Sequence, residues 1–313
     1  MKVLVTGGCG FIGSAVVNHL LAKNHDVHIV DNMSRGRNHW VNVRHGPSLY
    51  CQDILDLAGT QGIFESVRPE AVIHLAAHHY IPYCEQHPFE AYELNVSATL
   101  NIVEICRRWG VGNFFFASTG DVYPPTFAPH REVDMVAPIY VYGHTKYLAE
   151  QICIRYFSTH RAGDAAVIGR IFNAAGPRET NPHLIPEVVR QIAEGKEVIE
   201  VGNLWPKRDF VDVDGIAEAI VELTLGAQGV EIVNIGSGYV QEIGSVLELL
   251  GRNSGAAVTF MSVPERQRPN DRPYLCPDVT RLKRLIGHAA RAFDGDTVRR
   301  IFAEQKTARS LVG

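Results

Sequence analysis

Two hydrophobic rhythms alternate along the first half of the chain. Short runs apolar at nearly every position, KVLVT from Lys2, DVHIV from Asp26, EAVIHLA from Glu70 and NFFFAS from Asn113, are separated by longer stretches whose apolar residues recur every three or four positions. The long stretches, FIGSAVVNHLLAK after Gly10, Tyr92 to Arg108 and about Tyr142 to His160, predict helices. A strand that is apolar on both faces must be covered on both faces. The alternation therefore predicts a parallel sheet between two helical layers. DAAVIGRI, residues 164–171, continues that sheet.

Past Asn173 the rhythm loosens. Pro177, Pro182, Pro186, Pro206, Pro264, Pro269, Pro273 and Pro277 cut the chain into short elements, although EVVRQIAEG, DGIAEAIVELTLG and IGSVLELLG keep helical spacing. The expected organisation is a first domain over residues 1–172, with about 209–235 returning to it, and a smaller interleaved lobe over most of 173–313. A ligand cleft is expected between them.

At 313 residues and 46% hydrophobic, the chain can bury a large core, and its net charge of -4 provides no basic field for nucleic acid or anionic membrane. A small molecule is the expected partner. Cys9, Cys51, Cys84, Cys106, Cys153 and Cys276 show no C-x-x-C or other metal-ligand spacing, and several sit inside apolar patterns. They read as reduced thiols, with no metal site expected. No apolar run reaches about 18 residues, and a cytoplasmic protein is expected.

Chemistry concentrates at three places. TGGCGFIGS sets Gly7, Gly10 and Gly13 between a predicted strand and a predicted helix, and Asp31 ends the next strand 18 residues beyond Gly13. Glycines at such a turn serve backbone freedom alone in many folds. With the strand, the helix and the acid in place, they form the fingerprint of a Rossmann-type doubly wound sheet. The glycines let backbone amides approach a pyrophosphate at the helix N-terminus, and Asp31 can accept from the adenosine ribose. An acid there repels a 2′-phosphate, so NAD is favoured over NADP, with Arg35 and Arg37 close enough to oppose this.

The second place is VYGHTKYLAEQ, where Tyr142 and Lys146 lie four apart and hence on one helix face. An ammonium near a phenol favours the phenolate, which makes Tyr142 a candidate base for an alcohol, and Thr119 can hydrogen-bond the same oxygen. The third is STGDVY, which puts the carboxylate of Asp121 at the exit of a buried strand, before Pro124 and Pro125. Asp is also a common turn residue, so the position alone does not assign it.

These segments together resemble the extended short-chain dehydrogenase/reductases that act on nucleotide sugars. The resemblance spans almost the whole chain, through TGGCGFIG, QDILD, HLAA at 74–77, Asn95, STGDVY, YGHTK, RIFNAAGPR, KRDFVDVDGIAEAI, NIGSG and RPNDRP. It implies NAD contacts from Gly7, Gly10, Phe11, Ile12, Gly13, Asp31, Asn32, Asp53, Ile54, Leu75, Ala76, Ala77, Tyr142 and Lys146. It places Asn173 and Arg208 on the substrate diphosphate, Arg268 and Asp271 on the nucleotide, and Cys84 where the family often has a Ser near the sugar. A UDP-linked substrate and a homodimer built on the helices from Tyr92 and from Tyr142 are likewise implied.

The family shares a first step, in which Tyr142 would take the proton of the 4-hydroxyl as hydride leaves carbon 4. Dehydratases then use a glutamate where this chain has Asp121, to remove the carbon 5 proton. Many also carry an Asp just before it, where this chain has Gly120. The expectation is therefore a nucleotide-sugar dehydratase, with Cys84, His79, Tyr80 or His144 available to assist Asp121. A 4-epimerase using the same Tyr142 and Lys146 is the alternative, and a non-catalytic NAD-binding protein is a third possibility that the intact Thr119, Tyr142 and Lys146 oppose.

Overall fold

The computed structural model describes residues 1–41, 46–159, 164–267 and 271–310. Seven parallel strands form the central sheet, in the spatial order Gly229–Ile235, Ala165–Ile171, Asn113–Thr119, Ala71–His74, Lys2–Thr6, Asp26–Asp31 and Ser48–Cys51. The switch in strand order falls beside Lys2–Thr6, and ligands of such sheets bind outside the carboxyl ends of the strands there.

Because side chains alternate across a strand, the three phenylalanines divide between the layers. Phe115 joins Val3, Val5 and Val167 under the helices Phe11–Ala22 and Val213–Gly226. Phe114 and Phe116 face the opposite way, against Ala98–Trp109 and Val141–Ser158, where Phe114 stacks on Phe157 at 4.9 Å. Both faces of the sheet are thereby dry.

The helix expected from Tyr92 to Arg108 is not uniform. Pro88–Tyr92 is α-helical, Glu93–Ser97 makes a wider π turn, and α-helix resumes over Ala98–Trp109. The buried Asn95 occupies that turn. Its amide donates to the His78 carbonyl at 2.9 Å and to Thr145 Oγ1 at 3.0 Å, and its oxygen accepts from the His78 amide at 2.8 Å. Extra backbone width aims one polar side chain at both a sheet-exit loop and the helix carrying Tyr142. That helix spans Val141–Ser158, and His160 lies outside the described residues.

A second core, built from Ile185, Val188, Ile199, Phe210, Leu247 and Phe293 among others, fills the smaller lobe. There Val198–Val201 pairs with Thr259–Ser262, and Lys207–Arg208 lies between Gln241–Glu242 and Tyr274–Leu275. The edge strand Gly229–Ile235 belongs to the large sheet although it follows much of the small lobe in sequence. No helix among the described residues is long and apolar enough to cross a membrane.

Candidate active site

A cleft of about 990 Å³ runs from the glycine loop to the small lobe, along the carboxyl ends of the strands. Its cofactor half begins where the first strand turns into the helix Phe11–Ala22. Gly7 sits at φ +69°, and a Cβ there would lie 2.8 Å from the Ala76 amide nitrogen. At Gly13 a Cβ would fall 2.0 Å from the Gly7 carbonyl oxygen. Larger residues would push the loop away from the sheet and close the space over the first helical turn. No side chain caps that helix, so its first-turn amides are available to an anion.

Asp31, largely buried, is held from two sides: its carboxylate accepts from the Cys9 amide at 2.9 Å and the Met33 amide at 2.8 Å. Asp53 accepts from Asn32 at 3.0 Å and from the Leu55 amide at 2.9 Å. Both acids line the cleft together with Asn32, Ile54, Leu75, Ala76 and Ala77, so every residue expected on the cofactor side is brought to one wall. Arg35 also lines it, whereas the Arg37 guanidinium turns back to the Gly36 carbonyl at 2.9 Å. These groups fit a dinucleotide: a glycine cradle for pyrophosphate and two fixed carboxylates for ribose and adenine.

Thr119, Asp121, Tyr142 and Lys146 converge on the next stretch of wall. Burial pushes the Tyr142 phenol upward, the charge of Asp121 adds to this, and a hydrogen bond from Thr119 opposes it. The net effect, set by burial, is thus opposite to the lowering that the Tyr142–Lys146 spacing predicts. Lys146 Nζ lies over the Phe116 ring, 4.2 Å from its centroid, and burial brings this amine down to about 8 against the opposing charges of Cys153 and Glu150.

Glu150, one turn along the same helix, receives Arg170 at 2.7 and 2.9 Å in a fully buried fork. The same guanidinium donates to Tyr123 Oη at 2.8 Å. A buried charge left unpaired is costly, and the fork cancels this one.

Asp121 is not free in the wall. The buried Arg272 places Nη2 3.6 Å from its carboxylate and 3.3 Å from its carbonyl oxygen, and Nη1 2.9 Å from the carbonyl of Tyr123. Sequence reasoning passed over Arg272, although RPNDRP contains it. Beside Asp121, the missing side chain of Gly120 would begin 3.0 Å from the Phe172 ring.

On the substrate side Asn173, Arg208, Asp271 and Leu275 line the cleft. Arg208 donates to Asp271 at 2.7 Å, and Asn173 donates to the Asp209 carbonyl at 3.2 Å. Arg268 lies outside the described residues. Cys84 is not part of the lining: it is fully buried, its thiol donates to the His78 carbonyl at 3.6 Å, and burial raises it to about 11. His144 is also elsewhere, its Nδ1 2.6 Å from Tyr92 Oη.

His79 and Tyr80 do face the cleft, within a cluster that sequence reasoning saw only in part. Asn181 Nδ2 lies 2.8 Å from His79 Nε2, and Glu179 pairs with His183 at 3.5 Å. Burial holds His79 well below its ordinary value, so it is neutral at neutral pH.

Residues 3–236 match the model of the NAD dependent epimerase/dehydratase family. The chain belongs to that family. Its cofactor is accordingly NAD, in keeping with the glycine cradle and the two carboxylates. The chain is 31% identical to a UDP-glucose 4-epimerase of Corynebacterium glutamicum over 85% of its own length and 84% of the relative's. It is 28% identical to a GDP-6-deoxy-D-mannose reductase of Pseudomonas aeruginosa, again over 85% and 84%. Among solved structures, a UDP-glucose 4-epimerase of Thermotoga maritima with UDP-glucose superposes with a TM-score of 0.90 at 28% identity, over 99% of this chain and 100% of that one. The family thus joins different reactions on nucleotide sugars to one fold, and a nucleotide-sugar enzyme is what this chain is.

Proposed function

We propose that the chain is an NAD-dependent dehydratase of a UDP-linked hexose or N-acetylhexosamine. The observation that carries this reading is the position of Asp121, a carboxylate on the cleft wall close enough to Tyr142 for its charge to act on the phenol. Tyr142 in its phenolate form takes the proton of the sugar 4-hydroxyl; burial and Asp121 oppose that form, while Thr119 supports it and the positive ring of bound NAD would support it further. Gly7, Gly10, Gly13, Asp31 and Asp53 would hold NAD, which would supply the hydride acceptor and donor for the sugar. The ketone so formed makes the neighbouring carbon 5 proton acidic, and Asp121 removes it.

The carbon 6 hydroxyl must then leave as water. Gly120 offers no acid, Cys84 and His144 lie outside the lining, and His79 is neutral, which leaves Tyr80 and Asp121 itself on the lining. Asp121, having collected the carbon 5 proton, can deliver it to that hydroxyl, so one carboxyl group serves both transfers. Asn173, Arg208 and Asp271 would hold the nucleotide end, and Leu275, of middle size, is permissive of a 2-N-acetyl group without deciding it.

A second reading, 4-epimerisation, is favoured by the absence of a second acid at Gly120, where the Phe172 ring crowds any side chain, and by the activities named for the 4-epimerase relatives. Incubation with UDP-glucose and UDP-N-acetylglucosamine in deuterated water separates the two. Loss of water or deuterium at carbon 5 supports dehydration. Unchanged mass with inverted carbon 4 and no carbon 5 exchange establishes epimerisation instead.

A further inference from the structure

We propose that Arg272 is a positioning residue: it fixes the carboxylate of Asp121 in the cleft and ties its placement to the nucleotide end of the substrate site. The inference deepens the reading of Asp121 given above and rests on it.

Three observations carry it. First, Arg272 is 4% exposed, and the described groups that its guanidinium engages all belong to the Asp121 turn: the Asp121 carboxylate at 3.6 Å, the Asp121 carbonyl at 3.3 Å and the Tyr123 carbonyl at 2.9 Å. A cation buried this far is tolerated only with such partners, so removing either member of the pair leaves the other uncompensated. A guanidinium engaging both the side chain and the backbone of one turn leaves the carboxylate little rotational freedom.

Second, the neighbour in sequence points elsewhere. Asp271 receives Arg208 at 2.7 Å and Asn203 at 3.2 Å on the cleft wall of the small lobe. Two consecutive residues thus reach the two halves of the site, the nucleotide clamp and the acid, across a single peptide unit.

Third, this segment is itself fixed from both sides. The Lys207 amide donates to the Pro273 carbonyl at 2.9 Å and the Asp209 amide to the Leu275 carbonyl at 3.0 Å, while Tyr274 bridges to Thr126 of the loop that follows Asp121. Displacement of the nucleotide clamp is thereby transmitted to Asp121 through Arg272. His130 is also close enough to feel the Arg272 charge; burial first and then the guanidinium lower it to about 4, so it stays neutral and does not serve as the counter-charge.

The test uses the whole enzyme in four forms, Arg272→Met, Arg272→Lys, Asp121→Asn and the Arg272→Met/Asp121→Asn double variant, with UDP-glucose and UDP-N-acetylglucosamine as probes. Reduced cofactor formed on the enzyme reads the Tyr142 step, and deuterium at carbon 5 reads the Asp121 step. Arg272→Met is expected to keep the first within about threefold, lower the second at least about tenfold, and add nothing to Asp121→Asn; Arg272→Lys should recover part of the loss. Equal loss of both steps, or additive losses in the double variant, would overturn the proposal.

If the wild type exchanges no carbon 5 proton, the dehydratase reading fails on its own, and non-additivity of overall turnover still decides the role of Arg272. A crystal structure of Arg272→Met needs no substrate: Asp121 displaced from the wall supports the inference, and an unmoved carboxylate sinks it. Should the Met variant not fold, the Lys variant carries the same measurements.

Discussion

The ring of Phe172 lies against the position where Gly120 lacks a side chain, 3.0 Å from where a Cβ would begin. Phe172 is 3% exposed and packed in the core beneath the cleft, so it has little room to withdraw. Gly120→Asp, which would create the paired acids that many dehydratases carry, is therefore expected to destabilise the protein by about 1–3 kcal/mol through overpacking. Thermal unfolding checks this, and an unchanged melting temperature would show that the ring yields.

Tyr142→Phe removes the hydroxyl that Thr119 holds and leaves the cofactor wall intact. Turnover should fall by at least about 100-fold, the lower bound for a lost general base, while NAD affinity changes little. Steady-state rates and a cofactor titration measure both. A variant retaining a tenth of the activity would take Tyr142 out of the mechanism.

Asp31 is pinned by the Cys9 and Met33 amides and cannot swing away from a 2′-phosphate. NAD should bind at least about tenfold more tightly than NADP, as like charges in contact demand. Equal dissociation constants would show that Arg35, on the same wall, outweighs the acid.

His74 joins the sheet to a helix in its neutral form, with Nδ1 2.6 Å from Thr6 Oγ1 and Nε2 3.0 Å from Thr99 Oγ1. Burial, and then the charge of Lys146, lower it from 6.5 to about 3. A folded value below the unfolded one means that its contribution to stability is complete above about pH 6.5 and is lost as the pH falls towards 3. His74→Gln should accordingly flatten the dependence of denaturant stability on pH across that window. An identical slope in wild type and variant would exclude His74 as a source of acid lability.

The helices Ala98–Trp109 and Val141–Ser158 pack on each other, and Leu100, Leu148 and Ile152 remain exposed or half-buried on them. Apolar residues beyond the buried stripe need a cover, and a second copy of the same pair would supply it. A homodimer mass by light scattering at micromolar concentration is expected; Leu100→Lys should shift it towards monomer. A wild-type monomer at that concentration would refute the arrangement.

Much of this was legible in the chain because it is encoded locally. Strands such as KVLVT and NFFFAS announce burial on both faces by their own composition, and the glycine loop and the Tyr142–Lys146 pair carry their geometry in a few residues of spacing. The residues expected around the cofactor come together for that reason: each lies at the carboxyl end of a strand or the start of a helix whose period is readable. What spacing does not encode is the direction of a side chain once distant segments pack. Cys84 turns to the His78 carbonyl instead of the cleft, and Lys146 lies over Phe116 while burial lifts the phenol it was expected to lower. The π turn that aims Asn95 is invisible to a 3.6-residue period. The partner of Asp121 is 151 residues away, and no local pattern distinguishes Arg272 from a surface arginine. Only the packing of that distant segment on the Asp121 turn brings the guanidinium out of water, and desolvation then makes the carboxylate beside it a requirement of the fold.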